Sequence, residues 1–207
     1  MSHPLFIVFE GIDGCGKSTQ LKNLVTALQQ RGRSVFATAE PTSTPTGKML
    51  RAALSGTDPR TPAEMAALFT LDRIHHNKGK GGIDEALAAG MDVISDRYYY
   101  SSLAYQGSLT SYEWVRGMNC DCPEIRKPDL CIFLDLAPDK CLERISQNRL
   151  VTEIYEEKTR LERYRKRYFE IFEMLKFTDN IAVIDTDKAV EEIAEEVYSK
   201  VSKLNVE

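Results

Sequence analysis

Gly11-Ile12-Asp13-Gly14-Cys15-Gly16-Lys17-Ser18-Thr19 is the stretch best equipped for chemistry. It contains G-x-x-x-x-G-K-S, a spacing whose physical use is to wrap backbone around a polyphosphate. Gly11, Gly14 and Gly16 let the chain bend tightly, so that N–H groups converge at a helix N-terminus. Lys17 can reach β- and γ-phosphates, and the Ser18 hydroxyl can ligate Mg²⁺. Residues 11–19 are therefore expected to bind a nucleoside triphosphate with its magnesium ion.

Two further groups have types and spacings that suit a second ligand. Asp96-Arg97 follows a short apolar run, and an arginine there can grip a phosphate with two parallel N–H bonds. Ser102 and Gln106 lie four apart on the segment that follows, so both can face one ligand. Earlier in the chain, Met65, Phe69, Arg73 and His76 recur at spacings of three and four. Phe69 with Arg73 could sandwich a planar base and hydrogen-bond its edge, although an aromatic at helical spacing commonly belongs to a core. His75 and His76 are read as solvated helix surface.

These residues need a frame. Five brief apolar runs, Leu5–Phe9, Val35–Thr38, Val93–Ser95, Leu130–Leu134 and Ile181–Ile184, alternate with helical patterns. Each run is nearly continuous, as in parallel strands covered on both faces. The alternation predicts a doubly wound α/β sheet, whose ligands sit beyond the carboxyl ends of the strands. Asp13, Glu40-Pro41 and Asp96-Arg97 all follow such runs. Thr61-Pro62-Ala63-Glu64 reads as a capped helix start. Thr152 is expected to cap the helix that buries Leu161, Tyr164, Tyr168, Ile171, Phe172 and Leu175, and the basic residues of that helix, Arg160 among them, are expected mostly to face solvent. The last helix, with Val190, Ile193, Ala194, Val197 and Val201, reads as structural. Residues 108–127 carry no reading beyond connection and packing.

Composition narrows the classes. With 207 residues, 28% charged and 43% hydrophobic, the chain is expected to form one domain spanning 1–207. A net charge of −4 argues against a nucleic-acid binder, so anionic substrates must be held by locally placed Lys and Arg. No apolar run approaches the ~20 residues of a membrane helix. The N-terminus leads directly into a strand rather than a signal segment, and a cytoplasmic location is expected. The five cysteines include Cys120-x-Cys122 but no ligand-spaced second pair, so reduced thiols are expected rather than a zinc site.

Phe9-Glu10-Gly11-Ile12-Asp13-Gly14-Cys15-Gly16-Lys17-Ser18-Thr19-Gln20, Leu68-Phe69-Thr70-Leu71-Asp72-Arg73, and Asp96-Arg97-Tyr98 through Ala104-Tyr105-Gln106-Gly107 together resemble the thymidylate kinase family. The resemblance spans nearly the whole chain, and its third segment is the most specific. It implies a P-loop kinase fold, with a five-stranded parallel sheet and helices on both faces. It implies transfer of the γ-phosphoryl group of ATP to dTMP, and a symmetric homodimer. Phe69 would stack on thymine and Arg73 bond its edge. Arg97 and Arg51 would hold the acceptor 5′-phosphate, with Ser102 and Gln106 lining the base pocket. Tyr105 would crowd the ribose 2′ position, Asp13 would sit near the sugar hydroxyl, and Asp96 would join Ser18 at the metal. Gly14 occupies a position where one class of the family carries arginine, so the catalytic arginine would come from a lid at about 144–156, from Arg149 or Arg144. Cys15 replaces the small Ala or Thr usual there. Other readings are a different P-loop nucleotide or nucleoside kinase, and, more distantly, a P-loop switch module, which lacks support from any guanine-reading Asn-Lys-x-Asp.

Overall fold

The computed structural model describes residues 3–145 and 151–204, with side chains from 157 onward in the second stretch. Strands β1 (Phe6–Glu10), β2 (Val35–Ala39), β3 (Asp92–Asp96), β4 (Leu130–Asp135) and β5 (Ile181–Asp185) form one sheet in the order β2-β3-β1-β4-β5. Every pairing is parallel. The central strand β1 is buried along its whole length. Its side chains alternate between two cores, as a pleated strand requires. Ile7 and Phe9 pack with Leu24, Leu142, Ile193 and Val197 on one face. Phe6 and Val8 pack with Tyr98, Leu103, Val115 and Phe172 on the other. Each fully buried side chain of this size contributes about 1.5–3 kcal/mol. The continuous apolar runs thus have their cause in helices on both faces, and the edge strands β2 and β5 are correspondingly less buried.

The helices are α1 (Lys17–Gln29), α2 (Pro45–Leu54), α3 (Pro62–Lys78), α4 (Ile83–Ala88), α5 (Tyr99–Tyr105), α6 (Tyr112–Cys120), α7 (Pro138–Ile145), α8 (Val151–Leu175) and α9 (Val190–Lys203). α3 starts at the expected capping box: the Thr61 hydroxyl accepts from the Glu64 N–H at 3.2 Å, and Glu64 accepts from the Thr61 N–H at 2.8 Å. Such a cap is worth about 1 kcal/mol. α2 begins inside the Pro/Thr loop, capped by Thr44. α8 is described from Val151 onward, so Thr152 lies within the helix and not ahead of it as a cap. The six buried residues expected along α8, from Leu161 to Leu175, are all in the core. Residues 108–127 contain α6, whose N-terminus is capped by Ser111.

Candidate active site

The glycine loop joins β1 to α1 at the carboxyl edge of the sheet. Gly11 and Gly14 have φ of +144° and +84°. A Cβ on Gly11 would lie 2.7 Å from the Leu134 carbonyl oxygen; one on Gly14 would lie 2.6 Å from that of Cys141. Both positions are closed to side chains, the second because α7 crosses the loop. Lys17 curls over it, its Nζ donating to the carbonyls of Gly11 and Ile12 at 3.0 Å each. Arg144, on α7, donates to the Cys15 carbonyl at 3.5 Å and the Thr186 carbonyl at 3.3 Å. Burial pushes the Cys15 thiol up, opposed by Lys17 and Arg97, which makes it a packing residue rather than a nucleophile.

A cavity of about 680 Å³ opens over this loop, lined by residues 13–20 together with Glu40, Asp96, Arg97 and Arg144. Val190 and Ile193 also wall it, so the start of α9 serves the site as well as the core. Ser18 donates weakly to Asp96 Oδ2 at 3.4 Å, while Asp96 Oδ1 is buried and has no partner among the described residues. A hydroxyl and a carboxylate with a spare oxygen suit Mg²⁺, which takes hard oxygen ligands and keeps positions for phosphate and water.

At the end of β3 the backbone does something costly. Arg97 is the sole non-glycine among the described residues with positive φ, +72°, a conformation that costs about 1–2 kcal/mol. Three bonds enforce it: Arg97 N–H to the Phe9 carbonyl at 2.9 Å, Ser95 hydroxyl to the Arg97 carbonyl at 2.8 Å, and Tyr98 N–H to Glu10 Oε1 at 2.8 Å. The turn sends the guanidinium back across the sheet edge, where it donates to Asp13 at 2.5 Å, Ser101 at 3.0 Å and the Gly11 carbonyl at 3.3 Å. Strain of this kind collects at functional sites. Desolvation works against the charge of Arg97, but Tyr105, Tyr168, Asp13 and Glu10 outweigh it. Glu10, fully buried beneath the turn, accepts from Tyr98, Ser101 and Tyr168, and desolvation raises its pKa despite Arg97 and these donors.

A second cavity, about 470 Å³ and more apolar, lies beside the first. Met65, Phe69 and Arg73 of α3 line it with Tyr105, Gln106 and Arg97. Burial pushes the Tyr105 hydroxyl up to about 12, so it stays a neutral donor. Asp13, Glu40 and Arg97 belong to both cavities. The two sites therefore meet at one carboxylate–arginine junction.

Arg73 is 1% exposed and held by four hydrogen bonds to three residues. Its Nε and Nη2 donate to Glu40 Oε2 at 2.9 and 2.6 Å, and its Nη1 to Ser102 at 3.2 Å and to Asn119 Oδ1. Behind Glu40 stands His76, 3.0 Å from Oε1 and itself 2.7 Å from Thr38. His76 is thus buried and not the solvated residue its sequence suggested; Glu40 and β2 turn that face of α3 inward. His75 is exposed, as expected. Asp72, next to Arg73, receives Thr42 N–H at 2.8 Å and the hydroxyls of Thr42, Thr44 and Thr46, fixing the loop that leads from Glu40 to α2.

Most of the expected side chains are thereby brought together. Ser102 stands behind Arg73 and off the cavity lining, and Ser101 takes its place there. Arg51 is exposed and also off both linings, its guanidinium turned on the carbonyls of Pro41 at 2.9 Å and Thr42 at 2.5 Å. Gly11 and Ile12 serve through their carbonyls. Arg160, expected with the solvated basic face of α8, lines the second cavity while pairing with Glu157 at 2.6 Å. Arg149 lies outside the described residues. Asn119 gave no signal in isolation; its one trace was its place four residues after buried Val115 on α6.

The thymidylate kinase family model matches residues 9–197, the stretch that contains both cavities. The chain belongs to the thymidylate kinase family. It is 39% identical over 169 residues to a thymidylate kinase of Leptospira interrogans, covering 81% of each chain. It is 36% identical over 204 residues to a protein of Pyrococcus abyssi named a probable thymidylate kinase, covering 95% of each. A provisionally named thymidylate kinase of Treponema pallidum is 40% identical over 167 residues, 81% of this chain and 78% of that one. Within this family the five-stranded parallel sheet, the glycine loop and the paired cavities are the parts of one phosphotransferase fold.

Proposed function

We propose that this protein transfers the γ-phosphoryl group of ATP to the 5′-phosphate of dTMP, giving dTDP and ADP. The observation that carries the reading is the meeting of a phosphate-loop cavity and a base-sized cavity at Asp13, Glu40 and Arg97. Phosphoryl transfer depends mainly on positioning and neutralising charge. Residues 11–19 and Lys17 hold the donor's phosphates. Ser18 and Asp96 would hold Mg²⁺, which would supply neutralising charge on the phosphates. Arg97 orients the acceptor phosphate oxygen toward the donor, and Asp13 takes the sugar hydroxyl. Arg51 joins them by leaving its two carbonyl partners. Phe69 covers the thymine face, Arg73 bonds its edge, Gln106 and, through Arg73, Ser102 complete the pocket, and Tyr105 disfavours a 2′-hydroxyl.

Gly14 leaves no room for a loop arginine, which supports the class that supplies it from a lid at about 144–156. Arg144 already lies within van der Waals range of a Cβ built on Gly16, at 3.7 Å, and Arg149 follows it in the lid. We further propose that residues 1–207 act as one domain, as a cytoplasmic homodimer that engages neither nucleic acid nor membrane. Exposed Met49, Leu54, Leu71 and Trp114 on the adjoining helices α2, α3 and α6 supply apolar surface for the dimer. Among the described residues no helix is long and apolar enough to cross a membrane.

A coupled assay of ADP release with thymidine, uridine, cytidine and adenosine monophosphates, in ribo and deoxy forms, tests the reading. dTMP should give the highest kcat/KM. A faster reaction with another acceptor would assign a different nucleotide kinase, and equally fast hydrolysis without acceptor would favour a switch module.

A further inference from the structure

A guanidinium has five N–H donors, and a buried one is informative in how it distributes them. Arg73 directs Nε–H and one Nη2–H to Glu40, and both Nη1–H groups to Ser102 and Asn119. Its plane lies over the Tyr98 ring, 5.3 Å from the centroid. Among the described residues, one Nη2–H is left without a protein partner, and Arg73 lines the acceptor-side cavity. The partners are themselves fixed. Asn119 donates through Nδ2 to the Val115 carbonyl at 2.8 Å, which orients its Oδ1 toward Arg73. Glu40 is braced by His76, and His76 by Thr38.

We propose that Asn119 and Glu40 are positioning residues that set base preference by holding Arg73 so that it presents a single donor. A single fixed N–H donates to the 4-oxo group of a pyrimidine and meets a 4-amino group donor to donor. Leaving such a donor unmatched in a buried site is costly, which is how a polar pocket rejects a near-isostere. Asn119→Ala frees one Nη1–H, lets the guanidinium turn, and blurs what it presents. This proposal rests on the reading that Arg73 contacts the acceptor base.

The test measures kcat and KM with dTMP and with dCMP for the wild type, Asn119→Ala, Glu40→Gln and Arg73→Ala, with thermal unfolding of each. In Asn119→Ala the ratio of kcat/KM for dTMP over dCMP should fall ~10–100-fold, through the KM for dTMP, the range of one lost charge-assisted hydrogen bond. Glu40→Gln, which keeps an acceptor but removes the charge, should fall in the same direction and serves where Asn119→Ala folds poorly. A merely structural role would slow both substrates alike and leave the ratio unmoved. A wild-type ratio in Asn119→Ala and Glu40→Gln, with Arg73→Ala collapsed, overturns the positioning role. A wild-type ratio in Arg73→Ala overturns the base-contact reading itself.

Discussion

Gly14→Ala separates the close approach of α7 from the conformational demand of the glycine loop. Two costs act at this position. The φ of +84° is left-handed, worth about 1–2 kcal/mol for a residue with a Cβ. The new Cβ would also lie 2.6 Å from the Cys141 carbonyl and 2.9 Å from Ile145 Cδ1. The first contact is to backbone and cannot be relieved by a rotamer, so the loop or α7 must shift, at the ~1–3 kcal/mol typical of overpacking. Gly32 supplies the control: its φ is +77°, and nothing lies within 4 Å of a Cβ built there. Gly32→Ala should therefore cost the conformational part alone, about 1–2 kcal/mol, and Gly14→Ala about 1–3 kcal/mol more. For a chain of this size 1 kcal/mol moves Tm by roughly 2–4 °C, so the two variants should separate by about 2–12 °C in calorimetry. Because α7 also carries Arg144, Gly14→Ala should in addition raise the KM for ATP, which Gly32→Ala should leave alone. Equal Tm values for the two variants, with an unchanged KM for ATP, would refute the claim that α7 is why this loop has no side chain at position 14.

Three further outcomes are expected. Burial raises the Asp72 pKa, but the amide and hydroxyl of Thr42 with the hydroxyls of Thr46 and Thr44 outweigh it and hold the carboxyl below 3.8; a depressed folded pKa stabilises above the unfolded value and is lost as pH falls through the folded one, so Asp72→Asn should cost about 1–3 kcal/mol near pH 7 in urea unfolding, with the gap closing below pH 3.8. Arg149→Ala should lower turnover by ~10³-fold or more while ATP affinity, read by titration, changes little; turnover within a few-fold of wild type would pass the role to Arg144 or Arg160. dUMP should be a poor acceptor rather than an inert one, ~10–200-fold below dTMP in kcat/KM, because one methyl in an apolar pocket discriminates no further; equal rates would remove the fitted pocket.

How much of this was legible in the sequence follows from the range over which each feature is determined. The strands were readable because a parallel strand covered on both faces reads as a near-continuous apolar run, as β1 does from Phe6 to Phe9. The glycine loop and the pairing of Phe69 with Arg73 were readable because both are local, set by turn geometry and by helical spacing. The grip on Arg73 was not, since Glu40 and Asn119 lie 33 and 46 residues away and meet it only through the packing of β2, α3 and α6. His76 is one helical turn from Arg73, but whether that turn faced water or Glu40 depended on the edge of the sheet. At Gly14 the tight bend was legible and the crowding was not, because the backbone that excludes a side chain there belongs to α7, distant in sequence.

A chain of net charge −4 that handles two anions must hold its positive charge locally, and the site shows how. Lys17 and Arg144 are bonded to backbone carbonyls, of Gly11 and Ile12 and of Cys15 and Thr186. Arg97 and Arg160 are bonded to carboxylates, of Asp13 and Glu157. These two kinds of partner behave differently toward a phosphate. A phosphate oxygen carries negative charge where a carbonyl offers only a dipole, so it draws a cation from a carbonyl readily, with the side chain already close to its place. Drawing Arg97 from Asp13 is harder, because one full negative charge replaces another. Asp13 lies in both cavities and half its side chain is exposed, so it can release Arg97 and turn toward a sugar hydroxyl instead. On the proposed roles, the donor side is poised for phosphate by weaker partners, and the acceptor side calls for an exchange that a ligand with both a phosphate and a hydroxyl completes.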